Sequence, residues 1–276
     1  MTAVPFALTL LAAVLHASWN FLVKTSHDRL VGGAAGVVVG AVAFSPVLLW
    51  TGLPDAAVWP NLLVSGVVHL LYVLALVAGY ERADLSVVYP LARGLAPLPI
   101  AIGGVVLLGD HLGIGAAAGI GLASLGLVAI GVTAGRVAGT GWAVVTGLLV
   151  SVYTLVDAAA VREASNTVAY VVGVFVLNAA LLVPVLAVRR ARRDIQDTVR
   201  DAPVGYLLTG IFSFVAYALV LAAARLAPVG EVSAVRETSI VMGVVAGWLI
   251  LDEPFGARRV AAAAVVASGV VLLSLA

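Results

Sequence analysis

Apolar residues run in ten long stretches along this chain, and charged residues collect mainly in the short gaps between them. The stretches cover residues 3–23, 32–50, 61–80, 85–108, 114–134, 142–161, 168–188, 204–224, 229–251 and 257–275. A helix needs about 20 mostly apolar residues to cross a hydrocarbon core about 30 Å thick, and each stretch is close to that length. The pattern predicts an all-α membrane protein with ten transmembrane helices. The first stretch starts at Ala3 with no Lys or Arg before it and runs on to Val23. A secretory signal has a basic start and a shorter core, so this stretch reads as a first helix kept in the mature protein. Gaps such as 81–84, 109–113 and 252–256 leave no room for a soluble domain. The longest gap, 189–203, holds five arginines and three aspartates.

A shift of 143 residues lays Arg82 on Arg225, Arg93 on Arg236, Gly104 on Gly247, Leu108 on Leu251 and Asp110 on Glu253. These matches coincide with matching span boundaries and predict a duplication, residues 1–138 and 139–276. Five spans in each half force opposite orientations, giving two inverted five-helix repeats. Carriers built this way bind substrate near the midplane, at the repeat interface. Eleven of the 15 Lys and Arg residues fall in the odd-numbered gaps, against Arg162 and Arg225 on the other side. The positive-inside rule then puts the odd gaps in the cytoplasm and both termini outside. Glycines at helix-packing spacing (Gly32, Gly36 and Gly40; Gly115 and Gly119; Gly243 and Gly247) read as bundle packing rather than a dimer mark.

Composition agrees with the span pattern. The chain is 63% hydrophobic and 11% charged, whereas soluble domains are about 45–50% apolar and about 25% charged. The net charge of +1 is spread over loops and forms no nucleic-acid patch. With no cysteine, disulfides, thiolate metal sites and thiol catalysis are excluded. No HExxH, GxSxG or Walker sequence occurs, so zinc protease, serine hydrolase and ATP-driven pump have no support. We expect no enzyme, metal or cofactor.

Polar residues inside the spans carry the candidate chemistry. An arginine at a helix centre costs about 2.5–3.5 kcal/mol on insertion scales, so Arg93 and Arg236 mark a site by default. In span four, Ser86, Tyr89, Pro90, Arg93 and Pro97 share one helical face. Pro90 and Pro97 remove backbone donors and suit a hinge; broken backbone at membrane depth is tolerated where it is buried or lines a cavity. Span nine carries Glu231, Ser233, Arg236 and Glu237. Adjacent in sequence, Glu237 points about 100° away from Arg236 around the helix and cannot simply neutralise it, so it either pairs with Arg93 across the repeats or carries a proton. Span one offers His16 and Asn20, and Lys24 snorkelling at its end. Span three offers Ser65, His69 and Tyr72. Asp157 of span six is the counter-ion candidate for either arginine. Tyr153 and Thr154 lie beside it, and Ser213 and Tyr217 come from span eight.

The run Val87-Val88-Tyr89-Pro90-Leu91-Ala92-Arg93-Gly94-Leu95-Ala96-Pro97, followed by Leu107-Leu108-Gly109-Asp110, resembles the fourth-helix pattern of the drug/metabolite transporter superfamily, in its EamA-type branch. That pattern usually ends in Leu-Gly-Glu, which Asp110 departs from. Leu251-Asp252-Glu253 resembles the matching end of helix nine, and His16-Ala17-Ser18-Trp19-Asn20 resembles the first helix of one subgroup. The resemblance implies a secondary carrier of small metabolites working by alternating access, often an exporter and often proton-coupled, in the inner or plasma membrane. A first-helix glutamate serves cationic drugs in small multidrug-resistance relatives, and this chain has none. The residues therefore point to a small anionic or zwitterionic metabolite. Arg93 and Arg236 would grip it, while Tyr89, His16, Asn20, His69 and Tyr72 hydrogen-bond it. Asp157, Glu237 or Glu231 would supply counter-charge or carry the proton. Two alternatives stay open: a carrier of cationic or neutral compounds with structurally paired arginines, and a non-transporting membrane sensor or assembly protein.

Overall fold

The computed structural model describes residues 1–24, 26, 28–82, 85–133, 139–251 and 257–275. Glu253, Arg136 and the loop 252–256 lie outside the described residues. So do the side chains of Lys24, Arg29, Ser86, Leu251, Arg258 and Arg259 and the surroundings of Gly247.

Among the described residues all regular structure is helical. The helices are α1 (Ala3–Lys24), α2 (Arg29–Phe44), α3 (Leu48–Thr51), α4 (Trp59–Tyr80), α5 (Leu85–Leu95), α6 (Pro97–Leu108) and α7 (Ile114–Thr133). The series continues with α8 (Thr140–Glu163), α9 (Thr167–Arg189), α10 (Arg192–Asp201), α11 (Pro203–Leu226), α12 (Val229–Arg236), α13 (Thr238–Leu251) and α14 (Ala257–Leu275). Eight helical segments are long and apolar enough to span a bilayer among the described residues, which makes this a multi-pass membrane protein. They account for the first eight predicted stretches. The last two are also helical, as α12–α13 and α14, and the apolar part of α14, Val260–Leu275, is shorter.

Two of the predicted runs are broken near mid-depth. The α5/α6 break falls at Ala96, where Pro97 and Pro99 supply no backbone donors. The α12/α13 break falls at Glu237 and contains no proline. There the Glu237 N–H turns back to the carbonyls of Ser233 at 3.3 Å and Ala234 at 3.2 Å, tightening the last turn. A further departure from the sequence expectation is α10, a ten-residue helix inside the gap read as loop. Its Ile195 packs on Val31, Ala34, Leu182 and Leu186, while its arginines and aspartates take the other positions.

Several helix contacts recur between the first and second parts of the chain, while the close α5–α7 packing has only a weak counterpart in α12 and α13 against α14. Helix α1 lies on α11 as α8 lies on α4; α2 meets α9, and α7 meets α14, across the halves. Helices α6 and α12 cross closely at Gly230, where a Cβ would stand 2.6 Å from the Ala101 Cβ. One turn demands glycine outright. Gly109 has φ +71°, in the left-handed region, and ends α6 so that the Asp110 N–H reaches the Gly104 carbonyl at 3.0 Å. That turn aims the Asp110 side chain back at α12.

Candidate functional site

A cavity of about 890 Å³ lies between the halves, lined by α1, α2, α4, α5, α8, α9, α11, α12 and α13. That is ample for a small metabolite. Its wall includes His16, Asn20, His69, Tyr72, Tyr89, Pro90, Arg93 and Arg236 from the sequence expectations. Pro97, Asp157, Glu231 and Glu237 are not on that wall among the described residues. Pro97 instead opens α6 and is buried.

Both helix breaks place charge at the cavity. Arg93 reaches Glu237 with two nitrogens: Nε donates to Oε2 at 2.9 Å and Nη2 lies 2.7 Å from Oε1. The same Oε1 is 3.4 Å from Arg236 Nη2. One carboxylate thus stands between two arginines, all almost wholly buried. The expectation that Glu237 could not serve Arg236 assumed an unbroken helix. Because α12 ends at Arg236, the Glu237 side chain leaves a turn and meets both guanidinium groups. The trio keeps one positive charge unbalanced. Arg236 Nε and the Ser239 hydroxyl, both buried and on residues that line the cavity, have no hydrogen-bond partner among the described residues. A buried donor left unmade costs about 1–3 kcal/mol, and an oxyanion would remove that cost.

One turn before Arg93 on α5, Tyr89 donates to Asn20 Oδ1 at 3.4 Å and lies 3.2 Å from His16 Nε2, while Asn20 donates to the His16 carbonyl at 2.7 Å. These neutral groups stand where polar atoms of a cargo would meet them. Asp157 does not meet either arginine. It is fully buried and accepts hydrogen bonds from Tyr170 at 2.7 Å and from Tyr217. Its partners come from α9 and α11, and no periodicity on its own helix reveals Tyr170. Glu231 faces the Met1 amino group at 3.2 Å. Tyr170→Phe should lower stability by about 1–3 kcal/mol by leaving one Asp157 oxygen unmet, which thermal unfolding in detergent would measure.

The two ends of the bundle differ. At one end the cavity extends to Asp28, Glu81 and Arg190. There Asp28 caps α2 through the N–H groups of Leu30 and Val31 at 2.9 and 3.2 Å, and accepts from Arg190 Nε at 2.6 Å. Partial burial works to raise the Asp28 carboxyl. The Arg190 hydrogen bond and charge and the two backbone N–H groups outweigh it, holding the carboxyl below its ordinary range. A lowered acid contributes stability above its unfolded value, about 3.9, and loses it as pH falls through the folded value. We therefore expect Asp28→Asn to lower the melting temperature at neutral pH and to flatten its decline in acid, in a melting series from about pH 7 to about pH 3.

At the other end no cavity-lining residue appears among the described residues, and a charged latch ties four helices. Arg162 Nη2 pairs with Asp110 Oδ1 at 2.8 Å. The same guanidinium donates to the carbonyls of Ala224 at 3.0 Å and Ala227 at 3.2 Å. Asp110 Oδ2 accepts the Val229 N–H at 2.8 Å, at the start of α12. Beneath the latch, Ile100, Val150, Ala158, Ala224 and Val229 form a dry plug. In the sequence Asp110 and Arg162 lie far apart, and only the fold brings them together.

Residues 137–275, half of the chain, match the EamA-like transporter family, and the chain belongs to that family. It is therefore a multi-pass membrane protein of a transporter family. A solved crystal structure, described only as that of a protein, aligns with a TM-score of 0.78 over 100% of this chain and 98% of its own. At 16% identity that likeness speaks for the fold alone. No curated protein matches the chain.

Proposed function

We propose that the protein is a secondary carrier that moves a small anionic or zwitterionic metabolite across the cell membrane by alternating access, as a proton-coupled exporter. The moving bodies are two inverted five-helix repeats, residues 1–138 and 139–276. The observation that carries this reading is the Arg93–Glu237–Arg236 trio. It puts a net positive charge and an unpartnered guanidinium donor beside a metabolite-sized cavity. A guanidinium fork matches a carboxylate or phosphonate in bidentate fashion. The half-exchanging helix contacts and the paired mid-depth breaks support inverted repeats. The difference between a cavity mouth and a latched end supports alternating access, with the mouth on the cytoplasmic side by loop charge.

One observation favours a second reading, a carrier of cationic or neutral cargo with structural arginines. Arg93 is ion-paired with Glu237 without any ligand, its Nε donating at 2.9 Å and its Nη2, 2.7 Å from the carboxylate, making no hydrogen bond. Arg236 therefore discriminates, since its hold on Glu237 is long and its Nε is unused. The test is a thermal-shift screen of purified wild type and Arg236→Gln against anionic, zwitterionic, cationic and neutral metabolites. A ligand at 100 times its Kd adds about 2.7 kcal/mol of apparent stability. We expect hits that bear an oxyanion, absent in Arg236→Gln. Cationic or neutral hits that survive the substitution would establish the second reading instead.

A further inference from the structure

Both acids expected to carry a proton are engaged. Protonating Glu237 would leave Arg93 and Arg236, both buried, facing each other unbalanced. Asp157 is fully buried, held by two tyrosine hydroxyls and shielded from the cavity, which Tyr217 lines and Asp157 does not. The histidine of α4 is placed differently. His69 Nδ1 lies 2.9 Å from the Ser65 carbonyl oxygen, which can only accept, so Nδ1 carries the hydrogen and Nε2 keeps a bare lone pair. His69 lines the cavity. Its ring stacks on Tyr153 at 3.9 Å and meets Tyr217 edge-on at 5.9 Å, and Tyr217 holds the Asp157 carboxylate.

We propose that His69 Nε2 is the proton-loading site of the carrier, and that its proton crosses together with an anion held at Arg236. This rests on the carrier reading above. The supporting argument is a charge count. The trio leaves one positive charge beside the cavity and Asp157, behind Tyr217, offsets it, so the site as a whole is neutral when it is empty and His69 is neutral. An anion alone makes it negative and a proton alone makes it positive. Both together restore neutrality. Carrying net charge through a closed, low-dielectric intermediate is costly, so the empty and doubly loaded forms are the ones that reorient. A monoanion then moves only with a proton, whereas a zwitterion needs none.

The other titratable and charged groups around His69 fit this assignment. Asp157 stands behind Tyr217, and Arg236 is the cavity-lining cation whose charge a bound anion would cancel. His16 is less suited, since its Nε2 lies 3.2 Å from the Tyr89 hydroxyl and is taken up by it. At the mouth, Asp28 is paired with Arg190, and Glu81 lies in solvent. Glu231 is matched by the Met1 amino group.

The test is nitrogen NMR of histidine-labelled full-length protein in nanodiscs. His69→Gln assigns its signal among the four histidines, and methanesulfonate, a permanent monoanion, serves as probe. We expect a bare Nε2 at neutral pH and conversion to imidazolium as the pH is lowered. At fixed pH, methanesulfonate should raise the imidazolium fraction severalfold in wild type and not in Arg236→Gln. A hydrogen on Nε2, a signal that never converts, or a fraction indifferent to bound methanesulfonate overturns the proposal. A silent His69 in a protein that methanesulfonate stabilises against heat defeats the coupling alone. A titrating His69 in a protein that no anion stabilises defeats the coupling and the anion reading together.

Discussion

Arg93→Gln is expected to lower stability by about 3–5 kcal/mol, because it leaves the Glu237 carboxylate buried with only the long Arg236 contact. The pair is almost wholly buried, 3% and 0% exposed, so solvent screening gives little relief. Arg93→Gln with Glu237→Gln should recover most of that loss, since two amides can hydrogen-bond without stranding a charge. Recovered folding must not bring back anion binding. The double variant removes equal and opposite charges but breaks the polarised trio that orients Arg236. Thermal unfolding of the two single variants and the double variant, read as a double-mutant cycle, measures the coupling. Recovery of stability together with full anion binding would show that the trio serves only the fold.

Asp110→Asn should open the latched end. The amide keeps an acceptor for the Val229 N–H but loses the charge that holds Arg162, an interaction worth roughly 1.5–3 kcal/mol for a hydrogen bond to a charged group. If alternating access runs through this latch, a change of that size shifts the balance of open and closed forms at least tenfold. The chain contains no cysteine, which makes labelling clean. A single Ala224→Cys, at a position 1% exposed and under the latch, should react with a membrane-impermeant thiol reagent about tenfold faster when Asp110→Asn is added. Equal rates would show that Asp110 and Arg162 stabilise the bundle without gating it.

The spans were legible in the sequence because a bilayer imposes a long apolar run on every crossing helix. The break in span four was legible for a local reason as well, its prolines at 97 and 99, whereas Pro90 sits inside the unbroken α5. The matching break at Glu237 carries no such mark and comes from the turn that tertiary packing imposes there. Arg93 and Arg236 stood out because charge inside a span is rare, whereas their shared partner could not be read from helical geometry that the protein does not keep. Asp157 was legible as a buried charge and not as a tyrosine acceptor, since its donors come from two other helices. Helix α10 was hidden by its polar composition, because only a narrow stripe around Ile195 packs inward.

The most direct measurement is counterflow in proteoliposomes, using the anion-bearing compound that most strongly stabilises wild type. Wild-type protein should accumulate labelled compound against an unlabelled internal pool, while folded Arg236→Gln should fall to the rate of protein-free vesicles. Undiminished exchange by Arg236→Gln would contradict the account, because the anion would then cross without the residue assigned to hold it.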